Sequence, residues 1–274
     1  MPELPEVETV VRGLKQAIGG TTLTQLQAMR PNLRFPIPKN LDPLSRQQAL
    51  TGLDRRAKYI LMHLANGNTI VLHLGMSGRI TIHNAKPNTL EKHDHLVFDF
   101  SNGKTAVFND ARRFGFIDII PTDSLPAHKF FAHLGPEPLS TEFDAPYLKA
   151  NLQGKNTAIK TAIMDQRLVV GVGNIYACEA LYQAGIHPEK PARKVSAPKI
   201  KKLAAEIKDV LAKAIQAGGS SLKDHRQPNG ELGYFQHTLQ VYGREGELSP
   251  TGRGTIQRIV QAGRSTFYCP VKQK

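Results

Sequence analysis

The spacing of apolar residues changes near Pro121, and this change constrains the fold. Before it, short β-branched or aromatic segments separated by turn signals predict strands. After it, apolar residues recur at helical spacing. The predicted strands lie near 21–29, 58–64, 69–74, 79–83, 94–100, 104–109 and 115–120, and the predicted helices near 142–152, 157–166, 174–184 and 196–216. This order predicts an α+β protein in which an antiparallel β-sandwich precedes a helical domain.

A chain of 274 residues is long enough for two domains. We expect a β-sandwich over 1–130, a linker over 131–150, a helical domain over 151–238 and a β-hairpin over 239–274. Four prolines between 31 and 43 predict a loop there.

The net charge of +13 predicts a polyanionic partner. Nucleic acid is favoured over a membrane because no apolar run approaches the ~20 residues that a membrane span needs. Two cysteines, Cys178 and Cys269, cannot form a disulfide framework, and no signal-peptide pattern opens the chain. We therefore expect an intracellular, reduced protein without a membrane partner.

The first eight residues, MPELPEVE, allow two compatible interpretations. Removal of Met1 would leave Pro2 with a secondary amine, and a terminal amine of pKa ~7.7–8.0 is a nucleophile at neutral pH. Glu3 and Glu6 would then be close enough to move protons at the same centre. The same residues also predict a helix start, because proline suits the first turn and acidic residues complement the positive end of the helix dipole.

Two loops that follow predicted strands, 73–78 (HLGMSG) and 109–115 (NDARRFG), carry large apolar or planar side chains beside glycine. Exposed groups such as Met76, Arg112 and Phe114 are what wedge-type DNA binders insert between base steps. The alternative is that Met76 and Phe114 are ordinary core residues.

The segment 170–177, VGVGNIYA, is a glycine turn that opens a helix. Backbone N–H groups at such a turn bind phosphate, and Asn174 could add a side-chain donor. A nucleotide-cofactor loop is the rival interpretation. The preceding residues look helical, so a helix–turn–helix clamp on a DNA backbone is better supported.

Taken together, these segments and others resemble one family along nearly the whole chain. The motifs occur in family order: PELPEVETVVRGL, RRAKY, HLGMSG, EKHDH, NDARRFG, HLGPEPL, VVGVGNIYA, AGIHP, GGSSLKD, LQVYGREGE and GRSTFYCP. The sequence resembles the formamidopyrimidine-DNA glycosylases, bacterial enzymes that excise oxidised purines such as 8-oxoguanine. Each motif alone is weak, whereas their joint order is highly specific.

The resemblance implies a fold, an activity and a set of site residues. The family fold is a β-sandwich joined to a helix–two-turns–helix domain that ends in a zinc finger. Pro2 would attack C1′ of the damaged nucleotide, Glu3 would manage protons at the sugar and Glu6 would support the site. Lys58 would contact phosphate and assist strand cleavage by β- and δ-elimination, and Arg264 would contact the phosphate flanking the lesion.

The resemblance also implies DNA-binding positions. His93, Arg112, Lys155 and Asn174 match such positions, while Met76, Arg112 and Phe114 match the trio that fills the gap left by the flipped nucleotide. Lys223 would lie in the loop that covers the extruded base. The implied partner is double-stranded DNA containing an oxidised base, and the implied protein is a monomer of the bacterial cytoplasm, associated with the nucleoid.

Two departures from the family pattern stand out. Ala111 occupies a position that is usually proline. Where the family has cysteines spaced C-x2-C-x16-C-x2-C, this chain has Ser249, Gly252, Cys269 and Lys272. Because structural zinc needs four Cys or His ligands, we expect no metal and no other cofactor.

The strand pattern of the tail nevertheless survives, which predicts a metal-free hairpin, or zincless finger, with strands at 255–260 and 265–268 and a turn at Gly263-Arg264. We expect the hairpin to be held by packing of Ile256, Ile259, Val260, Phe267 and Tyr268. Pro250 and Gly252 would shape the turn that replaces the metal loop.

Two alternatives to the purine enzyme stay open. One is an endonuclease VIII-like glycosylase for oxidised pyrimidines, against which the PELPEVET opening argues. The other is a non-catalytic protein that binds damaged DNA, which the loss of zinc ligands makes worth weighing. The presence of Pro2, Glu3, Glu6 and Lys58 argues against it.

Overall fold

The computed structural model describes residues 2–220, 228 and 233–274. They divide into two compact units, the first within Met1–Ala132 and Ala217–Gln236, the second within His133–Gln216 and His237–Lys274. Sequence analysis assigned the segment 217–236 to the helical domain, whereas its described residues cluster with the first unit. Backbone bonding explains this difference, because Ile82 donates its N–H to the carbonyl of Pro228 at 2.9 Å. The four-segment division stays a prediction.

The described part of the first unit contains two helices and eight strands. They are α1 (Leu4–Ile18), β1 (Thr22–Ala28), α2 (Leu41–Ser45), β2 (Gln48–Arg56), β3 (Tyr59–Leu64), β4 (Asn68–His73), β5 (Arg79–His83), β6 (Asp94–Phe100), β7 (Thr105–Asn109) and β8 (Phe116–Pro121), followed by a 3₁₀ turn at Thr122–Ser124. Each predicted strand corresponds to one of these. Sequence analysis missed α2, β2 and the short turn.

The strands of the first unit form an antiparallel sheet in the order β5-β7-β6-β1-β2-β3-β4-β8. Its two halves are joined only where β1 meets β2, through the pairs Thr22↔Ala49 and Leu23↔Gln48. Apolar side chains from both halves and from α1 form one buried cluster. This is the predicted antiparallel sandwich, with the N-terminal helix packed into its core.

Helix α1 explains how the amino end of the chain is positioned. Its apolar residues repeat at helical spacing and are buried: Val7, Val10, Val11, Leu14 and Ile18. The helix ends at Gly19, whose N–H donates to the carbonyl of Lys15 at 3.0 Å. Burial of this stripe fixes the axis of the helix, and therefore the place of residues 2–6 at its start.

The second unit is helical, as predicted. It contains α3 (Ala145–Leu152), α4 (Ile159–Ile163), α5 (Asn174–Ala184), a 3₁₀ turn at Ala192–Lys194, α6 (Ala197–Gln216), β9 (Gln257–Gln261) and β10 (Arg264–Tyr268), and a further 3₁₀ turn lies at Phe235–Thr238. The loop between α4 and α5 turns twice. Leu168 donates its N–H to Asp165 at 2.9 Å, and Gly171 adopts a left-handed φ of 80°. These elements form the predicted helix–two-turns–helix.

The hairpin of β9 and β10 differs from its prediction in two details. Arg264 pairs with Gln261, so the turn is Ala262-Gly263 and not Gly263-Arg264. Both turn residues have left-handed φ, 48° and 73°, as a two-residue hairpin turn requires. Ile256, Phe267 and Tyr268 are buried as expected, but Val260 is 67% exposed, so its predicted packing is wrong. Strand alternation points it outward.

A membrane span would need a long apolar helix, and none occurs among residues 2–220, 228 and 233–274.

Candidate active site

The amino end of α1 is buried and fixed by hydrogen bonds. Glu3 and Glu6 are each only 2% exposed, and Pro2 is buried beside them. One oxygen of the Glu6 carboxylate accepts the N–H of Glu3 at 2.8 Å, and the other accepts the N–H of Ser220 at 2.8 Å. Gly219, with a φ of +80°, lies so close that a Cβ there would be 3.2 Å from Glu6. The three predicted residues are therefore together in one rigid site.

Lys58 lies in the two-residue turn between β2 and β3. Arg56 pairs with Tyr59 across this turn, and Ala57 adopts a φ of 53°. Arg55 braces the turn, because it donates to the carbonyl of Ala57 at 2.9 Å and to the carboxylate of Glu8 on α1 at 2.9 Å. The turn that carries Lys58 is thus tied to the helix that carries Glu3 and Glu6.

The Glu8 carboxylate is ionised in this brace. Burial raises its pKa, but hydrogen bonds and charges from Arg55 and Arg12 outweigh burial and bring the pKa below its usual value. Both ion pairs have N–O distances of 2.9 Å. The brace is strongest where Glu8 is charged, which includes neutral pH.

His73, at the end of β4, is a polar residue of this site to which sequence reasoning assigned no role. Burial, reinforced by the nearby charges of Lys58 and Arg34, lowers the pKa of His73 to about 4. Its Nδ1 accepts the N–H of Gly75 at 3.0 Å, so the neutral ring carries its proton on Nε2. His73 therefore offers a neutral donor near Lys58. Its position at a strand end, just before a glycine loop, was the available signal.

The two predicted wedge loops are locked together. Gly75 has a φ of +67°, and a Cβ there would lie 2.3 Å from the backbone nitrogen of Gly115. Asp110 is fully buried and accepts the N–H of Gly115 at 2.8 Å and the hydroxyl of Ser77. Ser77 in turn accepts the N–H of Arg112 at 3.0 Å. Asp110 organises both loops, and sequence reasoning missed it.

The side chains of the predicted wedge project from these two joined loops. Met76 is 36% exposed and Phe114 is 42% exposed, values that do not fit the alternative of core residues. The Arg112 guanidinium lies 4.9 Å from the centre of the Phe114 ring. His93 is partly buried, and its carbonyl accepts the N–H of Asp110 at 3.0 Å. The structure therefore brings together Met76, Arg112 and Phe114.

In the second unit, Asn174 begins α5 and connects the helix–two-turns–helix to the hairpin. Its amide nitrogen donates to the carbonyl of Ser265 at 2.8 Å, and its oxygen accepts from the Lys160 ammonium. Lys160 is 1% exposed and also donates to the Thr266 hydroxyl at 2.7 Å. The side-chain donor expected to face phosphate is thus engaged with β10, a contact between residues 91 apart that sequence spacing could not reveal.

A cationic groove of about 490 Å³ lies next to this connection. Its lining includes Lys155, Lys160 and Arg264, together with Arg167, whose guanidinium pairs with the Asp165 carboxylate at 2.7 Å. Arg264 is the first residue of β10 and is exposed at the hairpin turn. Clustered cations of this kind suit phosphate oxygens. The structure therefore brings Lys155 and Arg264 together, whereas Lys223 lies outside the described residues.

The four positions where the family resemblance implies zinc ligands do not fit zinc. Ser249 is 3% exposed, and its hydroxyl is engaged with Thr251 at 2.8 Å and with the carbonyl of Arg253 at 3.1 Å. Gly252 offers no side chain, and the Lys272 ammonium lies 3.7 Å from the centre of the Tyr182 ring. Only Cys269 has a thiol. Within the described parts of the chain, no group of three His, Cys, Asp or Glu side chains could hold a metal ion.

Comparison with known families agrees with this geometry. Residues 1–117 match the formamidopyrimidine-DNA glycosylase N-terminal domain, and residues 134–226 match the formamidopyrimidine-DNA glycosylase H2TH domain. Fold and matches together define a two-domain class in which a sandwich precedes a helix–two-turns–helix.

Full-length relatives narrow the class. Formamidopyrimidine-DNA glycosylases of Cereibacter sphaeroides (strain ATCC 17025) and Dinoroseobacter shibae are 47% and 49% identical, with 100% of both chains covered. A solved structure of a Lactococcus lactis Fpg mutant with DNA containing Fapy-dG has a TM-score of 0.93 at 35% identity and covers 100% of both chains. Another, of Lactococcus lactis Fpg with DNA containing an abasic site, has a TM-score of 0.92 at 34% identity and 99% coverage. The chain belongs to the formamidopyrimidine-DNA glycosylase family.

Proposed function

We propose that this protein is a bifunctional DNA glycosylase and abasic-site lyase that removes oxidised purines, such as 8-oxoguanine and formamidopyrimidines, from duplex DNA. The observation that carries the proposal is the buried amino end of α1. Chain ends are usually frayed, yet Pro2, Glu3 and Glu6 are buried here and Glu6 holds two backbone N–H groups. Such order suits an amine that must meet one atom of a substrate.

The proposed reaction begins once Met1 has been removed. The lone pair of the Pro2 nitrogen attacks C1′, and the glycosidic C–N bond breaks, so that the base leaves with the electron pair and takes up a proton. Opening of the sugar ring, with a proton delivered to O4′, gives an iminium ion between Pro2 and C1′. Glu3 is the group that we assign to proton transfer at the sugar.

The iminium is an electron sink for two eliminations. Loss of a proton from C2′ breaks the C3′–O bond and releases one phosphate, and loss of a proton from C4′ then breaks the C5′–O bond and releases the other. Water hydrolyses the iminium and frees Pro2, leaving a one-nucleotide gap. Lys58 and the neutral His73 would hold phosphate in the first unit. In the second unit, Lys155, Arg264 and the backbone N–H of Asn174 at the start of α5 would do so.

Catalysis at C1′ requires the damaged nucleotide to leave the base stack, at a cost of a few kcal/mol. Met76, Arg112 and Phe114 would fill the gap, with the Arg112 donors facing the acceptors of the orphaned cytosine. His93 would contact the backbone beside them, and Lys223 would belong to the loop over the extruded base. Phe114→Ala should slow excision from duplex more than cleavage of an abasic site. Equal losses on both substrates would contradict the wedge.

Three further features belong to the same proposal. The protein acts as a monomer on double-stranded DNA, in the bacterial cytoplasm at the nucleoid. Its hairpin works without zinc, and no other cofactor takes part. The four residues 249, 252, 269 and 272 support this, because only one of them is a metal ligand of the right type.

Borohydride trapping tests the central step. Incubation with an 8-oxoguanine duplex and sodium borohydride should reduce the iminium to a stable amine and yield one covalent protein–DNA adduct at Pro2, located by peptide mapping. A form that keeps an additional residue before Pro2 is the matched control and should give no adduct. An adduct at a lysine in the native protein would overturn the mechanism.

The same assay separates the two alternatives. An endonuclease VIII-like enzyme would trap and excise oxidised pyrimidines faster than 8-oxoguanine. A non-catalytic sensor, which the replaced zinc ligands favour, would bind DNA in a salt-dependent manner without any adduct or turnover.

A further inference from the structure

A surface of stacked aromatic rings in the first unit has no role in the proposed chemistry. We name it the aromatic ledge, formed by Phe35, Tyr59 and Phe130. Phe130 stacks on Phe35 with ring centres 6.5 Å apart and planes 24° apart, and on Tyr59 at 6.0 Å and 22°. Phe35 is 43% exposed. The ledge is therefore an ordered apolar face at the surface.

The ledge rests on buried rings, which hold it rigid. Phe116 is 4% exposed; its ring packs edge-on against Phe35 at 5.2 Å and at a tilt of 45° against Phe130 at 4.8 Å. Phe131 is 8% exposed and packs edge-on against Tyr59 at 5.1 Å. Phe116 and Phe131 are therefore core residues. Core packing does not explain why Phe35, Tyr59 and Phe130 stack at the surface.

The cationic group of the preceding residue lies over the ring of each outer phenylalanine. The Arg34 guanidinium lies 5.4 Å from the Phe35 ring centre, and the Lys129 ammonium lies 5.3 Å from that of Phe130. Both cationic residues are exposed. Within the described parts of the chain, neither forms an ion pair with a carboxylate. Ring faces attract the cations and hold them in place, while their outer N–H groups stay open to an anion.

The ledge adjoins two parts of the candidate site. Tyr59 follows Lys58 directly, and its ring lies 5.2 Å from His73. Arg34 donates its backbone N–H to the carbonyl of Gly115, in the loop that carries Phe114, at 3.1 Å. The ledge thus continues a surface that runs from the Lys58 turn to the wedge loop.

We propose that Arg34 and Lys129 bind two backbone phosphates of the DNA strand beyond the lesion, with the ledge supporting them and contacting deoxyribose. This inference rests on the proposed function, because that function supplies the DNA. Charge complementarity selects the occupant, because two cations held over apolar rings suit the alternation of phosphate and sugar along a DNA strand. The contact carries no base information, so it would lengthen the footprint without changing lesion choice.

The salt dependence of DNA binding tests the ledge without any need for turnover. Each phosphate contact contributes about 0.9 to the slope of log affinity against log salt concentration. The double substitution R34Q and K129Q should therefore make the slope shallower by about 2 on an undamaged duplex of about 25 base pairs. K15Q with K201Q removes the same charge from exposed positions and should keep the wild-type slope.

A second variant tests the rings. Phe35→Leu keeps apolar bulk but removes the face beneath Arg34, and should weaken duplex affinity about two- to fivefold with an unchanged melting temperature. A wild-type slope in the R34Q and K129Q variant, or an equal change in the K15Q and K201Q control, would overturn the ledge. Failure of the wild-type protein to trap DNA would instead overturn the proposed function and leave the slope comparison intact as a test of the ledge.

Discussion

The amino end of α1 and the carboxy-terminal hairpin are both held by polar contacts, but they tolerate change differently. At the amino end, every residue type that the proposed chemistry needs is present, and Glu6 alone anchors two backbone N–H groups. At the hairpin, only one of the four positions where the family resemblance implies metal ligands, Cys269, carries a residue of ligand type. Yet β9 and β10 pair in register over five residue pairs.

The difference follows from what each region must supply. A nucleophile and its proton donors cannot be exchanged for other groups, because the reaction involves their own atoms. A hairpin only has to be held in position, and several kinds of contact can hold it. Here the hairpin and its surroundings are held by the buried Lys160, the Asn174 amide, the stacked Lys272 and a small apolar cluster around Tyr182.

The sharpest test of the comparison is Glu3→Gln. The amide keeps the shape of the buried carboxylate but cannot exchange protons, so single-turnover excision of 8-oxoguanine should fall about 10²- to 10⁴-fold. Glu8→Gln is the matched control on the same helix and should lose less than tenfold. An active Glu3→Gln protein would show that the amino end is as tolerant as the hairpin.

Lys160→Met should cause the largest loss of stability. It removes a buried ammonium that bonds Thr266 and Asn174, and unsatisfied buried partners cost about 1–3 kcal/mol each. We expect the free energy of unfolding, measured with urea, to fall by about 3 kcal/mol. Lys201→Met on the exposed side of α6 should change it by less than about 0.5 kcal/mol. Similar values for both would show that the hairpin does not depend on this cation.

Acid should destabilise the first unit through His73. The folded pKa is about 4 and the ordinary value is 6.5, so between these pH values the unfolded chain binds more protons. Stability contributed by neutral His73 is present above pH 6.5 and is lost as pH falls toward 4, by at most about 3 kcal/mol. His73→Gln should flatten the unfolding free energy across this window. An unchanged pH profile in the variant would contradict the assignment.

Lys272→Met should have the smallest effect, and it tests the replacement of the metal directly. Burial lowers the pKa of Lys272, which marks a partly desolvated ammonium over the Tyr182 ring. Its loss should cost about 1–2 kcal/mol of unfolding free energy. Lys272→Arg keeps a cation over the ring and should remain near wild type. A strong chelator should leave the melting temperature of the native protein unchanged, and a chelator-sensitive protein would refute the metal-free hairpin.

Much of the fold could be predicted from local pattern. The strands of the sandwich alternate or run apolar between turn signals, and α1, α5 and α6 have clear limits. Strand β2 escaped prediction for a physical reason. Gly52 and the charged run 54–56 conceal its pattern, and a register shift between Leu50 and Gly52 breaks the alternation of its buried residues.

The sequence could predict which residues belong to the candidate site, but not the contacts that position them. Motifs pointed to Glu6, but its bond to Ser220 joins residues 214 positions apart. Likewise, no local signal distinguishes Asp110 from a surface aspartate, because its partner Ser77 lies on the other loop, 33 residues away. Contacts of this kind depend on the assembled sheet.

The close approach of Gly75 to Gly115 has a consequence for how these loops can evolve. Any side chain at position 75 would meet the backbone of Phe114 or Gly115 within 2.3–2.7 Å, so that position is closed to single substitutions. Ala111, on the same pair of loops, is exposed, so its side chain meets no such constraint. Among relatives, we therefore expect substitutions at exposed positions of the two loops, such as 111, and none at position 75.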